Sequence, residues 1–239
     1  PLRTMVFAEI ELRFLDRIRA RPSRLDAPIW TPGDGTTESA AATAYWAGLR
    51  DYHKKNDASA PALVRSRWVS DVVGKLEVAS LLEVGTNSGR NLQVVRSMHP
   101  AIRLAGIDVN HEAIAFAESK HLDIEFRIAD ANHWADAPGA WEAILTMSVL
   151  DHIPDDAIES LAANMVSSAS RYVITVELWD GSEGTRGEFK YSRSAKDLFE
   201  RHGLHTLHWE PSIGQYDTAK SPLWSYVGSR NPEQPLLER

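Results

Sequence analysis

The residues with the most chemistry in this chain are three carboxylates and the glycine turn they surround. The stretch 81-LLEVGTNSGRN-91 puts Glu83 two residues before Gly85, and Asn87 and Gly89 complete a Gly-x-x-x-Gly turn. Asp108 closes the run IRLAGID, 23 residues after Gly85, and Asp130 follows IEFRIA. An apolar run entering a glycine turn and then a helical pattern can bring backbone close to a nucleotide-like ligand. Gly85 permits the sharp turn, and Gly89 lets the helix pack near the strand. Binders of pyrophosphate commonly carry a middle glycine where this chain has Asn87. Glu83 is expected to face the mouth of the site, where it repels phosphate and attracts an ammonium or sulfonium. Asp108 stands where a carboxylate accepts hydrogen bonds from ribose hydroxyls. Any one of these acids could instead be serving a helix N-terminus. Three in register at successive strand ends favour a nucleoside ligand.

The elements that must position these residues are short apolar runs alternating with helical patterns. Strands are predicted over 79–84, 102–108, 124–129, 141–147 and 171–178, with two closing strands, LHTLHWE and PLWSYVGS. Helices are predicted after the glycine turn, over HEAIAFAESK, over DDAIESLAANMVSSA and over SAKDLFERHG. This alternation implies a doubly wound, mostly parallel seven-stranded α/β sheet with an antiparallel C-terminal strand. Ahead of it, residues 2–20 read as an amphipathic helix, 27–39 as an irregular connector, 38–55 as a second helix and 61–75 as a third with Pro61 at its first position. Residues 1–60 thus form a helical appendage or lid, and 61–239 the ligand-binding domain.

Net charge is −7, and the only basic cluster is His53-Lys54-Lys55, so nucleic acid is not an expected partner. The chain has no cysteine, which removes disulfides, thiolate metal sites and a cysteine nucleophile. No apolar run approaches a bilayer-spanning length, and the expectation is a cytoplasmic protein without membrane contact. No metal site is expected. His202, His205 and His208 recur every third residue, a spacing that turns the latter two to opposite faces of a strand. Tyr216 and Lys220 have the Tyr-x-x-x-Lys spacing of short-chain dehydrogenases, but they sit between predicted strands rather than on a helix. Asp155-Asp156 are read as the start of a helix, acting on its dipole.

Over roughly residues 61–229 the chain resembles the class I S-adenosylmethionine-dependent methyltransferases. The resemblance is carried by LLEVGTNSGRN, LAGIDVN, FRIADANHW and ILTMSVLDHIPDD. It implies S-adenosylmethionine as cofactor, with Gly85, Asn87 and Gly89 against its methionine part. Asp108 would hold the ribose hydroxyls and Val109 would pack on adenine. Asp130, with Ala131 beside it, would receive the adenine amino group, and the backbone around Met147 and Ser148 would line the cleft. Asn87 departs from the glycine usual in the family's turn.

Methyl transfer from a sulfonium chiefly requires alignment, and it needs a base only if the acceptor must lose a proton. His152, after the fourth strand, is the candidate base; a turn or capping histidine is the plainer alternative. Tyr191 and Arg193, after the fifth strand, are candidates for orienting the acceptor, with Ser192 or Ser194 as a helix N-cap nearby. Glu177 ends the fifth strand near the mouth. Tyr45, Trp46, Tyr52 and His53 resemble lid aromatics, with Trp46 read chiefly as core packing. The expected function is methylation of a small-molecule acceptor at oxygen or nitrogen. A nicotinamide-dependent oxidoreductase is one alternative. The other is a non-catalytic cofactor-binding sensor or scaffold in which residues 2–20 dock a partner. Whatever the function, a homodimer through the N-terminal helix is an expected contact.

Overall fold

The computed structural model describes residues 36–57, 60–212 and 222–235. The helix expected over 2–20, with any dimer contact through it, and the Tyr216/Lys220 pair lie outside these. Three helices come first: α1 (Glu38–Gly48), α2 (Tyr52–Asp57) and α3 (Ala60–Lys75). There follow β1 (Ser80–Val84), α4 (Arg90–Met98), β2 (Arg103–Asp108), α5 (His111–Lys120), β3 (Glu125–Ile128) and β4 (Trp141–Met147). After a 3₁₀ turn over Leu150–His152 come α6 (Ile158–Ser168), β5 (Ala169–Leu178), the hairpin β6 (Gly184–Gly187) and β7 (Lys190–Ser192), α7 (Ala195–Arg201), β8 (His205–Pro211) and β9 (Leu223–Ser229). No described helix is long and apolar enough to cross a membrane.

Seven strands form one sheet in the order β3-β2-β1-β4-β5-β9-β8. All of its pairings are parallel except those of β9, which runs antiparallel to both β5 and β8. Alternate residues of each central strand serve opposite faces. Leu81, Leu104, Leu145 and Ile174 pack with Val69, Val73, Leu92, Val95 and Ile114 of α3, α4 and α5. Leu82, Val84, Ile107 and Val173 pack with Leu161, Met165, Leu198 and Phe199 of α6 and α7. Burial on both sides explains why these strands read as continuous apolar runs. The chain winds outward from β1 in one direction through β2 and β3, then returns to β4 and winds the other way. The β1–β4 boundary is therefore the switch point, beside which open α/β sheets place their ligands.

Register brings the strand ends level there. Val84 pairs with Ile107 and with Thr146, and Asp108 pairs with Ile128. The turn after β1 is pinned to β2 because Ile107 O accepts both Gly85 N–H (2.8 Å) and Thr86 N–H (2.9 Å). The helix expected over 38–55 is broken at Leu49–Asp51. Asn110 Nδ2 donates to Trp46 O (3.0 Å) and Leu49 O (2.8 Å), taking carbonyls that a continuing helix would use. Helix α7 is capped by Ser194, whose side chain accepts Asp197 N–H at 3.1 Å. The acids expected to start α6 are engaged elsewhere. Asp156 accepts from Ser39 of α1, and Asp155 pairs with Arg193. The hairpin β6–β7 has no counterpart among the expected strands, because its glycine-rich residues lack an apolar alternation.

Gly85 has φ +74°, and a Cβ there would lie 2.3 Å from Val149 Cγ2. Gly85→Ala is expected to lower stability by about 2 kcal/mol or more, from backbone strain and overpacking together. Thermal unfolding checks this; a midpoint equal to the parent's would mean that the two turns are not in contact.

Candidate functional site

At the switch point a cavity of about 300 Å³ opens at the carboxyl ends of β1, β2, β3 and β4. Its wall contains Gly85 and Asn87 after β1, Asp108 and Val109 at the end of β2, and Asp130 and Ala131 after β3. Met147, Ser148 and His152 follow β4. These nine sequence-derived site residues, spread over 68 positions of the chain, meet in one space. Asn87 holds φ +51°, a left-handed conformation that asparagine tolerates better than most residues.

The Asp108 carboxylate is held by main chain on both oxygens. Oδ2 accepts Asn87 N–H at 2.9 Å, and Oδ1 accepts Asn110 N–H at 2.9 Å. Burial pushes Asp108 up, while donors at Asn110, Asn87 and Val109 draw it back. Asp130 Oδ2 accepts the Thr43 hydroxyl at 2.9 Å and lies 2.8 Å from His133 Nδ1, and Oδ1 accepts Asn132 N–H at 3.0 Å. Thr43 belongs to α1, so this helix lies over the cavity with Ala42, Thr43 and Trp46 in its wall.

Four expected site residues stand outside the wall. Glu83 does not face the mouth. It is 1% exposed behind the turn, where Oε1 accepts Asn91 Nδ2 at 2.5 Å and Oε2 accepts the Thr86 hydroxyl at 2.8 Å. Strand alternation turns it to the α3–α4 side, so the repulsion of phosphate expected from it does not act in the cavity. Burial pushes its carboxyl up from 4.5 to about 7, against the bonds from Asn91 and Thr86 and the nearby Arg90 charge. Gly89 caps α4 in the left-handed region; a Cβ there would lie 2.8 Å from Phe126 Cζ, so it provides the close helix–strand approach. Tyr191 is 1% exposed and donates to the Glu38 carboxylate of α1. Burial and that carboxylate hold its phenol above the ordinary range. Arg193 donates from Nη1 to Leu150 O at 2.8 Å and pairs through Nη2 with Asp155 at 2.5 Å. Tyr191 and Arg193 therefore tie the β6–β7 hairpin to α1 and to the 3₁₀ turn, instead of meeting an acceptor in the cavity.

The aromatics divide differently from expectation. Trp46, read as core, lines the cavity and packs on the His152 ring at 4.3 Å between centroids; Tyr52 joins it at 5.8 Å. Tyr45 packs on Phe189, and buried His53 packs on Phe116. His152 Nδ1 lies 2.9 Å from Phe189 O. A carbonyl only accepts, so Nδ1 carries a proton and the neutral ring keeps its lone pair on Nε2.

Sequence reasoning missed the cations Arg65 and Arg90, both in the wall. Arg90 directly follows Gly89 at the start of α4, and that placement was the available signal. Asn132, in the stretch IADANHW, was missed too. Three buried polar atoms in this wall, Asn87 Oδ1, Asn132 Oδ1 and Trp46 Nε1, have no hydrogen-bond partner among the described residues. In a folded protein such atoms call for a ligand or water. No described group of three or more His, Asp or Glu is placed to hold a metal ion.

Residues 81–170 match a family model described as a methyltransferase domain. A ubiquinone biosynthesis O-methyltransferase of Leptothrix cholodnii is 27% identical over 100 residues, 39% of this chain and 42% of that protein, so the match spans less than half of the relative's length. Among solved structures, the Burkholderia thailandensis 1,6-didemethyltoxoflavin-N1-methyltransferase superposes with a TM-score of 0.65 at 15% identity, over 85% of this chain and 93% of that one. The N-methyltransferase NodS of Bradyrhizobium japonicum gives a TM-score of 0.63 at 18% identity, over 82% and 100%. These likenesses establish the fold.

Glu83 yields a pH test. Its folded-state value, about 7, lies above the 4.5 of an exposed carboxyl, so the stability linked to its proton is complete below pH 4.5 and is lost as pH rises through 7. The loss amounts to about 3 kcal/mol. Glu83→Gln should flatten the stability profile across that window. Urea unfolding at pH 5, 6, 7 and 8 measures it, and parallel profiles for parent and variant would contradict the assignment.

Proposed function

We propose, from the premise that residues 81–170 are a methyltransferase domain within a class I methyltransferase fold, that this protein binds S-adenosylmethionine in the switch-point cavity and methylates a small-molecule acceptor. The observation that carries the reading is the set of acceptors and cations in the wall. Acceptors suited to a nucleoside stand at Asp108, Asp130 and Asn132, and the cations Arg65 and Arg90 stand in the same wall.

The residues fit the group by charge and hydrogen-bonding type. Asp108, anchored by main-chain donors, would accept the two ribose hydroxyls, and Val109 would cover the adenine face. Asp130 and the unpaired Asn132 Oδ1 would receive the adenine amino group, with Ala131 beside them. Arg65 and Arg90 would hold the methionine carboxylate, and the unpaired Asn87 Oδ1 would accept from its ammonium. Gly85 keeps the turn close enough for this, and Met147 and Ser148 close the far wall. When bound, S-adenosylmethionine supplies a methyl group on a sulfonium, already activated for in-line displacement.

The chain's own task is to align the acceptor and, where it carries a proton, to remove it. His152 Nε2 is the basic atom suited to that role, since Nδ1 is committed to Phe189 O. Trp46 and Tyr52 offer ring faces beside it, which suits a flat acceptor whose hydroxyl or amine is methylated. Within the N-terminal region 1–60, α1 and α2 would act as the lid, and the domain that begins at residue 61 would supply the cofactor site.

Calorimetric titration of the protein with S-adenosylmethionine, S-adenosylhomocysteine and NAD(H) tests the cofactor. The first two should bind and the third should not; the reverse result would select the oxidoreductase reading. Asp108→Ala is expected to weaken S-adenosylmethionine about tenfold or more, and equal affinity would remove the ribose assignment. In a screen of hydroxy-aromatic, amine and sugar acceptors, His152→Ala should lower kcat by about 100-fold or more at unchanged cofactor affinity. An unaltered rate would exclude it as the base, and binding without transfer to any acceptor would favour a sensor.

A further inference from the structure

His152 carries the basic atom of the cavity wall, so whatever holds its ring decides where that atom points. The backbone of the 3₁₀ turn that bears it is fixed from behind. Glu177 Oε2 accepts Val149 N–H at 2.9 Å and Leu150 N–H at 3.0 Å, and Arg193 Nη1 donates to Leu150 O at 2.8 Å. Only the two side-chain torsions of His152 are then left to settle. Among the described residues the ring makes one hydrogen bond, from Nδ1 to Phe189 O at 2.9 Å. One bond fixes an atom and not a plane, and an imidazole can rock about it. A competing partner stands close by. Asp151 is 6% exposed, and its Oδ2 lies 3.7 Å from His152 Nε2, beyond hydrogen-bond length. A modest tilt of the ring would close that gap. A carboxylate binds Nε2 only when that nitrogen carries a proton, so the contact would take the ring's lone pair out of the cavity.

We infer that Trp46, on the lid helix α1, is the positioning residue of His152: its indole holds the imidazole plane so that Nε2 stays clear of Asp151 and open to the cavity. The two rings lie 4.3 Å apart between centroids at an interplanar angle of 51°. Rings that close are in contact, and the larger one blocks the rocking that the single hydrogen bond permits. Trp46 is itself placed by groups other than His152. Its carbonyl accepts Asn110 Nδ2 at 3.0 Å, Tyr45 meets its ring edge-on at 5.1 Å, and Tyr52 lies at 5.8 Å. Thr43, one turn earlier, donates to Asp130 at 2.9 Å and keeps this side of α1 on the cavity. The hairpin is braced from the same helix. Phe189 is buried with φ +47°, a costly conformation for an aromatic residue, and its ring packs on Tyr45 at 5.7 Å. Neighbouring residues of α1 thus serve both holds on the imidazole: Tyr45 supports the residue whose carbonyl takes Nδ1, and Trp46 lies on the ring. The turn alone does not define the base. It is completed when α1 is seated.

The effect on transfer rests on the methyl-transfer reading; the orientation of the ring does not. Trp46 Nε1 has no hydrogen-bond partner among the described residues, so Trp46→Phe keeps a ring against His152 and removes no described bond. Ring ¹⁵N spectra of the full chain near neutral pH should show the Nδ1–H form of His152 in the parent and in Trp46→Phe. In Trp46→Ala they should show a mixture with the Nε2–H form. With the most active hydroxy-aromatic of the screen above, Trp46→Ala should lower kcat by about tenfold or more, with S-adenosylmethionine affinity held within about twofold. Trp46→Phe should recover most of that loss. An Ala variant with the parent's ring spectra, or one that raises KM alone at the parent's kcat, would overturn the proposal and leave Trp46 as a wall for the acceptor. A Phe variant as impaired as the Ala variant would overturn it too. If Trp46→Ala fails to fold, Trp46→Leu, which fills the space without a flat face, takes its place with the same expectations. Failure of S-adenosylmethionine to bind, or of any acceptor to be methylated, would sink the methyl-transfer reading and leave the ring spectra to decide the positioning role.

Discussion

The carboxyl edge of the sheet is organised around a carboxylate held by backbone. Asp108 ends β2, and its two oxygens accept one amide from the turn after β1 and one from the start of α5. Without the Asn87 contact, a left-handed residue between two glycines would have little to fix it. Without the Asn110 contact, the residue that caps α5 and arrests α1 would lose its own anchor. Ionised oxygens are the strongest acceptors available to an amide, so one side chain can hold three segments where neutral partners would hold fewer. The turn and the second strand take their mutual positions from it, and α1 is joined to them through Asn110.

A second buried carboxyl supports the same turn from beneath. Glu83 reaches Thr86 within the turn and Asn91 in the helix that follows, and Asn91 in turn accepts Ser66 Oγ of α3. Ser66 also accepts Arg90 Nε at 3.3 Å, and Arg90 reaches the cavity wall. A chain of polar side chains therefore runs from the underside of β1 to a cation at the cavity wall. Buried polar networks of this kind are rigid when every member is partnered.

The sheet was legible in the sequence because its central strands are buried on both faces and most strands are separated by helices. All seven strands lie within two residues of their expected ends, and the antiparallel last strand was foreseen. The cavity wall was legible where its residues close or soon follow a parallel strand, as at Asp108, Asp130 and His152. It was illegible where the answer depends on which way a side chain turns. Glu83 was assigned to the wrong side of its strand because the residues that receive it, Thr86 and Asn91, are also polar and look like loop chemistry. Tyr191 and Arg193 were expected in the cavity because they follow β5. A short hairpin with no apolar alternation intervenes and carries them to α1 and the 3₁₀ turn. Trp46 shows the converse, since an aromatic on a helix reads as core until the helix is seen to cover a cavity.

The hairpin's hold on the His152 ring is made by the main-chain oxygen of Phe189 rather than by a side chain. No exchange of amino acid at position 189 deletes a carbonyl, so point mutation there can shift the contact but cannot abolish it. A change in the length of the 184–192 segment can. The orientation of this imidazole is therefore buffered against substitution and exposed to insertion or deletion, and the loop between β5 and α7 is where the ring could be turned in the cavity wall without altering the sheet.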